Sequence, residues 1–219
     1  MQHENKDWLH QFEPVGRNCE FGFVLRHFGS DRPSLFRWTW LGANDFCRLL
    51  EQDFEDAFAL ENVRPHIDNK KMVMDAKYKW YFHSALHSDD NKQFLLSGER
   101  LEKLHRIEMI KVQREIEIFL QRIRTEGVVC VYAAVSVSDE EAKAILRAID
   151  AKAGGPLNRL LVVDEAGASG REPGQTEDIA PRIARGSVSY MAPVSQSYAA
   201  DFENWEKILN RYRAPAPVS

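Results

Sequence analysis

The sequence predicts an α/β fold, an open, mostly parallel sheet flanked by helices, with a helical and irregular insertion before one long helix. Three observations carry this reading. Residues 128–135 form a near-continuous apolar run, Val-Val-Cys-Val-Tyr-Ala-Ala-Val, which suits a strand covered on both faces. Ser138-Asp139-Glu140-Glu141 then reads as a capping box that opens a helix over 142–153, stopped before Gly154-Gly155. Residues 157–163 supply the next apolar strand, and strand, helix, strand in that order makes a parallel crossover unit.

The other elements follow in chain order. Phe12 and Val15 form a short apolar lead-in, a first strand that gives way at Gly16 to a helix over 19–28. In that helix Phe21, Val24, Leu25 and Phe28 recur at helical spacing, and Gly29 supplies a stop. Residues 33–40 are dense in aromatic side chains and read as core or as the wall of a cleft. A second helix is expected over 44–52, with Phe46, Leu49 and Leu50 inward and Asn44 as cap. Two short strands, 71–74 and 78–82, flank a turn at 75–77 and leave His83-Ser84 at the end of the second, ahead of a surface loop at Asp89-Asp90-Asn91.

Residues 98–124 read as the longest helix, its buried stripe marked by Leu101, Leu104, Ile107, Val112, Ile116, Phe119, Leu120 and Ile123. The polar, glycine-rich segment 165–178 is too poor in apolar residues for an element and is expected to be a mobile loop. A further strand is placed at 188–191 and a last helix at 199–212, with Phe202, Trp205, Ile208 and Leu209 inward. Residues 1–213 are thus expected to form a single α/β domain, and 214–219, which include Ala-Pro-Ala-Pro, a disordered tail.

Composition narrows the function. A chain of 219 residues, 44% hydrophobic and 28% charged, can bury one sizeable core. Its 29 Lys and Arg against 33 Asp and Glu leave a net charge of -4, so no global basic excess calls for a nucleic-acid partner. The polar start of the chain and the lack of a run of 18 apolar residues argue against a signal peptide and a membrane span. Cys19, Cys47 and Cys130 are an odd number without close pairs, as in a reducing compartment, and a cytoplasmic location is expected. With no H-E-x-x-H spacing, phosphate loop or dinucleotide fingerprint, no cofactor or metal is demanded.

Cys19 is the strongest candidate for chemistry. It follows a glycine that permits a tight turn, at the junction of strand and helix, and backbone N–H groups at a helix N-terminus favour thiolate, the nucleophilic form. Cys130, mid-strand, and Cys47, on a helix, read as packing residues. A cysteine nucleophile needs a base and an orienting group. Among His27, His66, His83, His87 and His105, His83 is preferred because a strand end holds an imidazole rigidly over a cleft. Asp75 and Asp89 are the candidate orienting carboxylates, Asn18 could support an oxyanion, and Arg17, Arg26 and Arg37 could bind a carboxylate or phosphate. Phe36, Trp38 and Trp40 could stack on a sugar or nucleobase.

The segment Gly16-Arg17-Asn18-Cys19-Glu20-Phe21-Gly22, followed by Arg26 and Leu35-Phe36-Arg37-Trp38, resembles the opening of a bacterial family described as papain-like cysteine peptidases. The resemblance puts that family's nucleophile on Cys19, its tryptophan on Trp38 and its later histidine on His83 within Tyr81-Phe82-His83. Arg37 stands where the commoner pattern has an aspartate, and Pro33 is displaced. The motif also resembles cysteine enzymes of surface-polysaccharide biosynthesis that handle acyl-CoA donors. The resemblance implies a cysteine-dependent hydrolase or acyltransferase acting through a thioester on a small-molecule, glycan or peptide substrate, with acyl-CoA compatible as donor. The competing expectation is a non-catalytic glycan- or protein-binding module built on Trp38 and Trp40.

Overall fold

The computed structural model describes residues 7–17 and 19–213, apart from the side chains of 168, 169 and 194. The tail expected at 214–219 lies outside the described residues. After a 3-10 turn (Asp7–Gln11) come β1 (Phe12–Pro14), α1 (Glu20–His27), β2 (Thr39–Trp40), α2 (Ala43–Glu51), β3 (Val63–Pro65), β4 (Met72–Asp75), β5 (Trp80–His83) and α3 (Gly98–Thr125). The second half holds β6 (Val129–Ala133), α4 (Asp139–Ala153), β7 (Arg159–Glu165), the single turn α5 (Ala166–Ser169), β8 (Thr176–Ala180), β9 (Ile183–Val188) and α6 (Phe202–Asn210). Among the described residues no helix is long and apolar enough to cross a membrane.

The expected mostly parallel sheet is present, with five strands in the order β1-β6-β7-β9-β8. The first four run parallel and β8 pairs antiparallel at the edge. Successive side chains point to opposite faces, which divides the apolar run at 129–133 between two cores. Cys130, Tyr132, Leu160 and Val162 pack with α2, α3 and α4. Val129, Val131, Leu161 and Val163 pack with α1 and with Trp205, Ile208 and Leu209 of α6. The α4 start is the predicted capping box, Ser138 Oγ accepting from the Glu141 N–H and the Glu141 carboxylate accepting from the Ser138 N–H, and its end is Gly154 in the left-handed conformation.

Two expectations about the second half need correction. The last parallel strand is 183–188, not 188–191, and all six of its residues are buried. Arg185 and Gly186 hide it from an apolar-run reading. Arg185 is buried because it donates to the Val137 carbonyl and pairs with Asp139 and Asp164. A Cβ at Gly186 would lie 2.9 Å from Ile208, so the glycine lets α6 sit close on the sheet. The segment 165–178 is not wholly a loop either, since it contains α5 and begins β8. A polar strand survives there because it is an edge, with one side open to solvent.

The insertion builds a second, four-stranded antiparallel sheet, β2-β5-β4-β3. On β5, Trp80 and Phe82 enter the core while Tyr81 and His83 face the other way. The long α3 matches its predicted span except that Ile107 is 45% exposed. His105 and Glu108 take the inward face instead, His105 Nε2 meeting the Phe58 carbonyl at 2.7 Å and Glu108 accepting from Ser84 Oγ and the Ala85 N–H at 3.1 Å each. The Glu108 bonds tie the chain leaving β5 to α3 directly beside His83.

Candidate functional site

The site is built where β1 ends. The Val15 N–H donates to the Val131 carbonyl, keeping the chain beside β6 until Gly16, whose φ of +105° is open to glycine and whose Cβ, if present, would lie 3.0 Å from the Leu41 carbonyl oxygen. Cys19 is the N-cap residue of α1, and its carbonyl accepts from the Phe23 N–H. Asn18, expected to support an oxyanion, lies outside the described residues.

Glu20 fixes the helix start. It is fully buried, with Oε1 accepting from Trp205 Nε1 at 2.8 Å and Oε2 from the Ala192 N–H at 2.7 Å. Burial, against those hydrogen bonds, pushes its carboxyl up from 4.5 to about 7. Phe21 packs on Trp205 at 5.2 Å between ring centres. Gly22 is where α1 meets the 36–38 segment, because an added Cβ would lie 2.6 Å from the Arg37 carbonyl oxygen and 2.9 Å from Trp38. The spacing Cys19, Glu20, Gly22 is thus explained locally: one residue faces the cavity, one anchors, one permits contact.

Cys19 and His83 line the same cavity, of about 780 Å³. Phe23 of α1, Trp38, Trp40 and Tyr81 give it an aromatic wall, the 66–69 turn forms another side, and Ser195, Ser197 and Tyr198 close it. Trp40 and Tyr81 are cross-strand partners, as are Met72 and His83, so one face of the second sheet supplies this wall. Cys19 is half-buried, and burial pushes its thiol from 9.0 up to about 11. Burial therefore works against the thiolate that the helix N-terminus was expected to favour. Partial burial and the nearby Lys71 cation hold His83 below its usual 6.5, so it is neutral at pH 7.

Of the other predicted residues, Arg26, Arg37 and Trp38 line a neighbouring cavity of about 330 Å³ together with His83, whereas Arg17 and Asp89 line neither cavity. Arg17 is exposed, its guanidinium 5.7 Å from the centre of the Trp40 ring. Arg26 lies 4.8 Å from the Trp38 ring and pairs with Asp31 at 3.0 Å. Trp38 is half-buried between this cation and Arg37, which lies 5.0 Å from its ring. Arg37 is itself 2% exposed and donates to the carbonyls of Arg32, Ser30 and Gly22 at 2.7, 2.7 and 3.1 Å. It pins the loop between α1 and β2, and it is also among the residues that line the smaller cavity with Arg26, Trp38 and His83. Asp89 is corrected: its Oδ1 accepts from the Asn91 and Gln93 N–H groups, shaping its own loop, and it does not border the cavity. Asp75 is buried and accepts from the Phe58 and Tyr78 N–H groups.

Sequence reasoning passed over His66. It lines the cavity, and its Nδ1 accepts from the Asp68 and Asn69 N–H groups at 2.9 and 3.1 Å, so in the neutral ring the proton sits on Nε2. Nδ1 of His66 is thus spent on the turn that forms this side of the cavity. The signal was the sequence Pro65-His66-Ile67-Asp68-Asn69, a turn whose backbone donors need an acceptor. Cys130 is buried, its thiol pushed up to about 12, as its core placement requires. Among the described residues no cluster of His, Cys, Asp and Glu is arranged to hold a metal ion.

No protein-family model, curated protein or solved structure matches the chain.

Proposed function

We propose that the protein is a cysteine-dependent hydrolase or acyltransferase in which Cys19 is the nucleophile and His83 the base. The observation that supports this reading is the shared cavity: a thiol at a helix N-terminus and a neutral imidazole at a strand end border one space of ligand size. A thiol raised to about 11 is not a preformed thiolate, so attack must be base-assisted. His83 takes the thiol proton as sulfur adds to the acyl carbonyl, and N–H groups at residues 19 and 20 face the developing oxyanion. The imidazolium returns the proton to the leaving group, a thioester at Cys19 remains, and water or an acceptor hydroxyl or amine, deprotonated by His83, releases the acyl group. A glycan acceptor or an acyl-CoA donor is compatible with the aromatic wall, which offers stacking and apolar contact.

Turnover of an activated ester such as p-nitrophenyl acetate tests the reading. Wild type should turn over with a rate that rises with pH through a midpoint below 6.5, where His83 loses its proton, and Cys19→Ala should abolish it. Unchanged turnover in Cys19→Ala would remove the nucleophile.

A second reading has its own support, since Trp38, Trp40 and Tyr81 on one wall would also serve a non-catalytic glycan- or protein-binding module. Glycan-array binding that survives Cys19→Ala and disappears in Trp40→Ala, without ester turnover in wild type, would favour it.

A further inference from the structure

A second large cavity, of about 790 Å³, lies at the opposite end of the parallel strands and shares no lining residue with the Cys19 cavity. Arg159 opens β7, Arg182 stands in the turn before β9, and Arg211 and Arg213 follow α6, so secondary-structure ends bring four guanidiniums to one concavity. Asp178 is the carboxylate among its lining residues.

The four cations are not equivalent. Arg182 is committed, gripping Asp150 with two N–H groups at 2.9 and 2.6 Å and donating to the Asn158 carbonyl at 2.7 Å. Arg211 pairs with Asp178 at 2.6 Å, and Arg213 lies 5.6 Å from the Trp8 ring. Arg159 is exposed and its guanidinium makes no hydrogen bond or ion pair among the described residues. Like charges gathered in a concave, partly apolar site repel one another, and an entering anion relieves that repulsion. The planar fork of arginine matches phosphate oxygens two at a time. The cavity is also far larger than a bare anion needs and falls in the range of small-molecule sites. Ile179, Pro181 and the Tyr212 ring supply an apolar wall for an organic part.

We propose that this cavity binds a phosphate-bearing small molecule, its phosphate held by Arg159 with the neighbouring arginines and its organic part against the Ile179, Pro181 and Tyr212 wall. A nucleic-acid partner is disfavoured by the net charge of -4.

Isothermal titration of the full chain with phenyl phosphate, inorganic phosphate and phenol tests the proposal. Phenyl phosphate should bind saturably and more tightly than inorganic phosphate, phenol should not bind, and affinity should fall as ionic strength rises. Arg159→Gln, at an exposed position with no ion pair among the described residues, should weaken phenyl phosphate about ten-fold or more, and Arg159→Gln with Arg213→Gln should abolish it. Arg100→Gln, an exposed arginine on α3, should change nothing. No saturable binding of phenyl phosphate, binding retained in the double variant, or equal weakening by Arg100→Gln would overturn the site. Inorganic phosphate binding as tightly as phenyl phosphate would overturn the apolar half of the assignment. Tight, salt-sensitive binding of an oligonucleotide lost in the double variant, without binding of phenyl phosphate, would overturn the small-molecule assignment.

Discussion

The half-buried position of Cys19 sets how fast it can react with a reagent that the site does not recognise. Raising a thiol from 9.0 to about 11 lowers the thiolate present near neutral pH about 100-fold. A more basic thiolate is also a better nucleophile, and with a Brønsted slope of about 0.4 to 0.5 this recovers roughly 6- to 10-fold. Iodoacetamide should therefore alkylate Cys19 about ten-fold more slowly than an unhindered thiol near neutral pH, before any steric loss. Cys47 is half-buried and likewise raised to about 11, so the experiment is run in Cys47→Ala. The assay is quenched alkylation across a pH series, read by peptide mapping of the residue 19 peptide. The rate should climb through pH 10 without levelling. A rate that levels off near pH 7 and exceeds that of a free thiol would mean a preformed thiolate, and would refute both the burial argument and the base-assisted mechanism.

Three further outcomes follow from the same geometry. Glu20, raised from 4.5 to about 7, binds more protons in the folded than in the unfolded chain between those values, so stability should fall as pH rises from 4.5 to about 7, by up to about 3 kcal/mol. Urea melts of Glu20→Gln should show that slope flattened; an unchanged slope would assign it elsewhere. Gly186→Ala places a methyl 2.9 Å from Ile208 and should cost about 1–3 kcal/mol by overpacking the α6 interface, read as a lower denaturation midpoint, whereas no loss would mean that α6 yields freely. Arg37→Gln gives up charge-assisted bonds to three carbonyls and should cost about 3 kcal/mol, lowering the melting temperature with or without ligand. Full stability with lost ligand binding would mean that Arg37 serves recognition rather than the loop.

The elements that the sequence revealed are those whose local signals agree with their tertiary setting. The run at 128–135 suited an interior strand and contains β6, and Ser138 with Glu141 marked the α4 start because a cap is a purely local device. Strand 183–188 was hidden because burial of Arg185 depends on Asp139 and Asp164, which are far away in sequence. Ile107 has the spacing of a core residue, yet Ser84, just after β5, and the carbonyl of Phe58, in the turn before β3, face that stretch of α3, so polar Glu108 and His105 face inward. At the site, an N-cap position and a strand end place Cys19 and His83 on the border of one cavity. The backbone partners of Arg37 and Asp89 were not legible in the sequence, because charge alone does not tell which carbonyls or N–H groups a side chain will meet. Nor does position at a helix N-terminus tell how deeply a thiol is desolvated.

The central claim, that Cys19 becomes acylated with help from His83, is tested most directly by trapping the intermediate. Wild type mixed with p-nitrophenyl acetate and acid-quenched within the first turnover should carry one acetyl group, mapped by tandem mass spectrometry to Cys19. His83→Gln, which alters an exposed side chain and leaves the fold in place, should form that adduct at least about 100-fold more slowly. Acetylation confined to other residues, or formation at Cys19 at the same rate in His83→Gln, would contradict the account.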